Sequence, residues 1–433
     1  MDADVIIIGG GFGGLSTAAL LASNGVEVLL LEREEVLGGR AKSIEKEGFV
    51  VDNGLHGNRF ASAGPAAAVL RNVGQNLEFV TEEDSISYIY HRGKLIKRPS
   101  SAQEFMTTEL LSQQGREEML KVLVQLLQEN PDEWYSRTLL DFINKFTDNG
   151  EAREFFRLIG FFIIAPQIEE TSAGEVMYFV QQAQKSPRAI ATPVSGAKQI
   201  IDKLAVVIER NGEIKKSCRV DQIMVKDGGV VGVRAGRKMF ASNAVVYTPP
   251  IQQLFSVIEE RLFPPSFVDY ARNLIPTSGV SIDFGLRQSV SDLTGSVTSV
   301  DLLAMGSFPS NLDSSLAPKG KQLSTWFMIL PYQKLREKGA ARDAFSQLRQ
   351  LIAEAYPEFF DYVEWERPQV FPIMDGVLLR VGQAYPDRHE LRSPYVKNLF
   401  FAGDTARARG CSGDIAFNAA LEASSLILSS SED

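Results

Sequence analysis

An α/β fold is predicted for this chain, with a Rossmann-like parallel sheet assembled from discontinuous segments and an α+β domain built from the chain between them. Three observations carry that prediction. Near the N-terminus an apolar, β-branched run, Val5-Ile6-Ile7-Ile8, enters a glycine turn and is followed by Leu15 to Ser23, which has helical composition. A second apolar run, Val26 to Leu31, then ends on the acid Glu32. Far along the chain, Asn398 to Asp404 is again an apolar strand delivering glycine and acid, with a helix expected from about Ile415 to Leu428.

Within the first turn, Gly9, Gly11 and Gly14 fill a G-x-G-x-x-G fingerprint that also contains Phe12 and Gly13. The first glycine makes the tight turn, the second lets backbone approach a pyrophosphate, and the third lets helix pack on strand. Asn24-Gly25 supplies the helix stop. Glu32 stands where an acid accepts hydrogen bonds from ribose hydroxyls, which favours FAD or NAD over a cofactor with a 2′-phosphate. The diphosphate of such a ligand sits on the helix N-terminus, where free N–H groups and the positive end of the dipole favour an anion.

At 433 residues the chain calls for two or three domains. Its 44% hydrophobic and 23% charged content is ordinary for a globular protein. The net charge of -9 argues against binding nucleic acid, and less strongly against docking on anionic membranes. Cys218 and Cys411 are the only cysteines and lie far apart, so a reduced, cytoplasmic protein without structural disulfides is expected. His56, His91 and His389 occur in unrelated contexts, so no metal centre is expected. A strand beginning at residue 5 leaves no room for a signal peptide, and no apolar run is long enough to span a bilayer.

After Glu32 come Arg33 and, a few residues on, Leu37-Gly38-Gly39-Arg40, which would bring backbone and a guanidinium close to the diphosphate. With Gly9 to Gly14 and Glu32, this element resembles the FAD-binding amino half of the flavin amine oxidase superfamily, which includes phytoene-desaturase-like enzymes and protoporphyrinogen oxidase. The resemblance implies FAD, and nothing in the closing segment matches a flavin tether, so binding is expected to be noncovalent. Gly48 to Gly57 resembles the superfamily's next segment, in which the backbone of Gly54 and Leu55 runs along the flavin, with His56 a candidate proton handler. By the same resemblance Val220, on a strand from Arg219 to Val225, meets the adenine through its backbone. Gly403 and Asp404 belong to the carboxy-terminal motif, where the acid hydrogen-bonds the ribityl or diphosphate region. The helix start at Gly413-Asp414-Ile415 then aims N–H groups at the flavin pyrimidine edge. The charge of Asp414 opposes an anionic flavin there unless it caps the helix.

Between these anchors the chain divides into an FAD-binding domain (1–80, 190–253 and 387–433) and a substrate domain (81–189 and 254–386). Ser85 to Leu95 reads as a hairpin, followed by helices. One helix has an apolar face of Met119, Val122, Leu123, Leu126 and Leu127, and a short one runs from Leu139 to Phe146. A third, Glu151 to Ala165, is apolar on nearly every side through Phe155, Phe156, Phe161, Phe162 and Ile164. Such a helix is buried, lines an apolar cavity or touches a membrane; core packing is the usual fate of such residues, and the alternative tested below is that the helix lines a tunnel for an apolar substrate. A helix ending near Arg210, stopped by Asn211-Gly212, precedes strands at Val230 to Arg234 and Ala244 to Tyr247. Strands at Ser278 to Leu286, Ser299 to Met305 and Leu323 to Ile329 and a helix from Arg342 to Tyr356 complete the substrate domain.

The expected activity is that of an FAD-dependent oxidoreductase of desaturase or dehydrogenase type, passing hydride from an apolar small molecule, an isoprenoid or a tetrapyrrole, to flavin N5. Cys411 to Asp414 lacks the aromatic residue that amine oxidases place before their last helix. Amine oxidation is therefore an alternative, as is a non-catalytic prenyl- or lipid-binding protein on the same scaffold. Peripheral membrane contact is compatible with an apolar substrate.

Overall fold

The computed structural model describes residues 1–54, 57–80, 86–91, 93–99, 102–186 and 188–430. Leu55 and His56 lie outside the described residues, so the expectations placed on them stay at the level of sequence.

The first sheet has five strands in the order Leu399–Phe401, Ala244–Tyr247, Val5–Ile8, Val28–Leu31 and Gly212–Lys215, and every pairing is parallel. Its central strands are continuous apolar runs because both of their faces are buried. The helix Phe12–Ser23 packs against Ala197–Ile208 and against the closing helix Gly413–Ser429. Gly212 was expected to be part of a helix stop, but it opens the edge strand Gly212–Lys215 instead. That strand reads GEIK, and a polar edge strand carries no apolar pattern to betray it.

The second sheet has seven strands, ordered Val363–Phe371, Ser278–Leu286, Gln322–Leu330, Ala304–Ser307, Ser296–Ser299, Tyr88–His91 and Lys94–Lys97. Ser278–Leu286 and Gln322–Leu330 are buried along their whole length. The single strand expected over Ser299 to Met305 is really the turn between two short antiparallel strands, with Leu303 at φ +51°. The edge strand Val363–Phe371 escapes the sequence pattern because Glu364, Glu366, Arg367 and Pro368 interrupt it. A separate three-stranded sheet joins Gln222–Lys226, Gly229–Ala235 and Lys238–Ala241. Val220 precedes its first strand and is therefore not a strand residue.

Helices occupy most of 102–185. Gln113–Gln128 buries Met119, Val122 and Leu126, with Leu123 and Leu127 only partly covered. The apolar helix runs over Gly150–Phe162, its N-terminus capped by Asn149, which accepts from the Ala152 N–H at 3.0 Å. It stops short of Ala165 because Ile164 turns to φ +60° ahead of Pro166. Among the described residues no helix is long and apolar enough to cross a membrane.

Candidate active site

The glycine turn after the first strand is built for close approach. Gly9 sits at φ +101°, a backbone state that favours glycine. A Cβ on Gly14 would press into the Gly9 carbonyl, and one on Gly13 into the Ala402 carbonyl, so only bare backbone seats the helix on strand and closing loop. On the opposite side Gly11 is open, its nearest neighbour being the Gly39 Cα, 4.0 Å from where a Cβ would lie. Gly38, at φ +106°, donates to the Gly10 carbonyl at 2.7 Å and so places the second glycine pair beside the first. The helix Phe12–Ser23 has no side-chain cap, so its first N–H groups face the cavity without a protein acceptor. An uncapped helix start between two glycine loops fits a diphosphate.

Around this cradle the predicted acids and arginines take definite places. Glu32 is buried; its Oε2 accepts from the Gly10 N–H at 2.5 Å and its Oε1 from the Glu34 N–H at 2.8 Å. Its own carbonyl accepts from the Cys218 N–H at 2.7 Å, which brings Cys218, Arg219 and Val220 onto the same wall. Arg33 lies at the rim, its side chain 64% exposed. Arg40 pairs with Asp404 Oδ1 at 2.7 Å and donates to the Met374 carbonyl at 3.1 Å. The other Asp404 oxygen accepts from the Gly376 N–H at 2.6 Å. Both oxygens of Asp404 thus have protein donors, one of them Arg40, and the residue also lines the cavity.

Gly39, Gly54 and Gly403 line the cavity, as do Phe12, stacked on Phe417 at 4.8 Å, and Asp414. Ile415 does not reach it; its side chain is buried in the core. Burial pushes the Asp414 carboxyl up to about 6, with the Arg59 guanidinium opposing and the Asp375 charge adding to the rise. Asp375 belongs to a loop, 372–376, that sequence pattern alone does not mark. It accepts from the hydroxyls of Thr277 and Ser412, each at 3.0 Å, and burial together with the Asp404 charge raises its pKa against the pull of Arg40 and Arg59. The only local hint of this loop was an acid-glycine pair after a proline, which is ordinary turn chemistry. Cys411 is buried and off the cavity wall, and burial pushes its thiol pKa up. Among the described residues no cluster of His, Cys, Asp and Glu is placed to hold a metal ion.

Beyond the cradle the same cavity, about 880 Å³ in all, continues between apolar side chains. Phe162, Ile164 and Met305 are partly exposed there beside the nearly buried Phe161, Leu323 and Phe327, with the polar Ser281, Ser307 and Thr325 in the same lining; Phe161 and Phe327 stack at 5.7 Å and 8°. The expected tunnel helix therefore contributes only its C-terminal end. Phe155 and Phe156 point into the helical core, where Phe155 packs edge-on against Phe105 at 5.8 Å.

Comparison with known proteins agrees with this geometry. The profile of a family described as flavin containing amine oxidoreductase matches residues 12–428. A carotenoid 3,4-desaturase of Haloarcula japonica is 55% identical over 51 residues, 12% of this chain and only 10% of that protein. Polyamine oxidase 2 of Arabidopsis thaliana is 23% identical over 439 residues, covering 92% of this chain and 82% of the oxidase. Among solved structures, an oxidoreductase from Methanosarcina mazei superposes with a TM-score of 0.81 at 20% identity, over 98% of this chain and 99% of that one, a likeness of fold.

Proposed function

Because the chain belongs to the flavin containing amine oxidoreductase family, it is a flavin-dependent oxidoreductase, and we propose that it holds FAD noncovalently and dehydrogenates an apolar substrate, an isoprenoid or a tetrapyrrole. Bound FAD supplies the hydride-accepting chemistry, and the protein positions, shields and balances charge. In this reading Gly9 to Gly13 and the open helix start hold the diphosphate, with Gly39 and Arg40 closing over it. Glu32 takes the adenosine ribose, Val220 and Arg33 flank the adenosine end, and Gly54, Gly403 and Asp414 line the flavin end. Cys411, whose Sγ lies 4.0 Å from Asp414 Oδ2, is buried off the cavity wall, which supports noncovalent binding. Unpaired Cys218 and Cys411 fit a reducing compartment, the cytoplasm, from which an apolar substrate would be collected at a membrane surface.

The observation that carries the substrate class is the apolar wall from Phe161 to Phe327, continuous with the cradle. An amine needs a polar or aromatic cage. No aromatic residue stands at 410–414, and the Phe161 and Phe327 rings close on each other rather than facing across a gap. Two measurements test the proposal. Acid precipitation should release all yellow colour as FAD, and anaerobic mixing should bleach the flavin with polyisoprenoids or reduced tetrapyrroles but not with spermine. Bleaching by spermine alone would return the chain to amine oxidation.

Glu32→Ala is expected to weaken FAD binding by about 1–3 kcal/mol, since it removes a charged acceptor and strands the N–H groups of Gly10 and Glu34. Asp404→Ala should act more indirectly, by freeing Arg40. Flavin fluorescence on dilution reads both, and unchanged affinity in the two variants would place the cofactor elsewhere.

A further inference from the structure

Arg98 is a cavity residue for which neither the fold nor the cofactor has a use. It follows the strand Lys94–Lys97, and its N–H donates to the Ser87 carbonyl at 2.8 Å, which fixes the backbone. Its half-buried side chain reaches the cavity wall, where the guanidinium lies over the Phe162 ring, 5.1 Å from the centroid. Among the described residues no carboxylate, carbonyl or hydroxyl pairs with that guanidinium, and burial alone lowers its pKa. The other arginines deep in this cavity are engaged. Arg40 is bound to Asp404. Arg59 donates to the carbonyls of Phe162 at 3.2 Å and Cys411 at 3.4 Å and feels the charges of Asp414 and Asp375.

A cation drawn onto an apolar wall is costly, and one ring face offsets only part of the cost. Nothing in the packing requires it, since Phe162 already has Phe161 as an edge-on neighbour at 6.0 Å. We infer that Arg98 receives a carboxylate carried by the substrate, so that the substrate is amphipathic, with its apolar body along Phe161, Phe162, Met305 and Phe327. This inference rests on the apolar-substrate reading above and narrows it to acids within the two classes. A carboxylate matches one planar guanidinium fork and one positive charge. A diphosphate would bring more negative charge than a single free cation balances, into a cavity that already holds Asp375 and Asp414.

The test is calorimetric titration of the flavin-loaded protein with decanoate and with decanol, both kept below the concentrations at which they aggregate. Decanoate is expected to bind about tenfold tighter than decanol or better, the scale of a charge-assisted hydrogen bond in a partly dry site. Arg98→Gln should erase that preference while decanol affinity, flavin content and melting temperature stay unchanged. Arg98→Lys keeps charge without the fork and should retain only part of the preference. If the glutamine protein fails to fold, the lysine protein decides: a reduced preference supports the inference and an undiminished one overturns it. Equal affinities in the unaltered protein, or a preference that survives Arg98→Gln, overturn the carboxylate site but leave the apolar cavity standing through decanol binding. Failure of both probes to bind overturns both readings.

Discussion

Gly14→Ala is expected to yield a protein that retains no flavin and melts well below the unaltered chain. The new Cβ would fall inside contact distance of the Gly9 carbonyl oxygen and lie 3.1 Å from Thr248 Oγ1. Neither neighbour can yield cheaply. The Gly9 carbonyl belongs to the turn whose N–H is bonded to Leu31, and the Thr248 hydroxyl donates to the Ile8 carbonyl at 2.8 Å. Relief therefore requires the helix Phe12–Ser23 to lift from the sheet, and that helix buries ten of its twelve residues. Overpacking of this kind costs about 1–3 kcal/mol and sometimes more. The same movement carries the open helix start away from Gly39, so the diphosphate loses its donors. Gly25→Ala is the control: its Cβ meets nothing within 4 Å, and only its φ of +82° opposes the change. That variant should lose about 1 kcal/mol of stability and keep its flavin. A Gly14→Ala protein with full flavin and an unchanged melting temperature would mean that the helix is not seated on the strand as described.

What could be read from the sequence was what local spacing dictates. Strand, glycine turn, helix, strand and acid follow one another within the first forty residues or so, and each has a periodicity or a backbone requirement of its own. Glu32 was placed correctly at its strand end, yet its hydrogen bonds to Gly10 and Glu34 depend on a turn geometry that composition does not encode. Asp404 shows the limit more sharply. Its position after an apolar strand was plain, but its partners Arg40 and Gly376 come from other parts of the chain, and local spacing does not announce them. The loop 372–376 was missed for the same reason, since nothing local marks Asp375 as a cavity residue. The helix ending at Phe162 had too much apolar surface for its pattern to select a face. Tertiary packing sends Phe155 and Phe156 to the helical core, stacks Phe161 on Phe327 and leaves Phe162 partly open to the cavity. The edge strands Gly212–Lys215 and Val363–Phe371 were unreadable because their hydrogen bonds come from neighbours, not from any apolar alternation.

The largest loss of stability from a single polar side chain is expected at Arg388. Its side chain is fully buried, that of Glu175 is 2% exposed, and the two form an ion pair. Arg388 also donates to the Ala408 carbonyl at 3.0 Å, and Glu175 accepts from the Tyr385 N–H at 2.7 Å. The pair thus fastens the helix Ala173–Lys185 to the two stretches of chain that flank the last strand of the parallel sheet. Burial already pushes the Glu175 carboxyl up, and the Arg388 charge is the main influence holding it down. Arg388→Ala leaves that carboxyl to be buried alone or protonated, at a cost of about 3–5 kcal/mol. Glu175→Ala strands the guanidinium and should cost a similar amount. Replacing both by apolar residues, Glu175→Leu with Arg388→Met, removes the desolvation penalty along with the attraction, so the double variant should be far more stable than the sum of the single losses implies. Urea midpoints of the flavin-loaded proteins measure all of these. Single variants that each lose less than about 1 kcal/mol, the range of exposed pairs, would show that water reaches the pair; strictly additive losses would show that the two side chains do not act on each other.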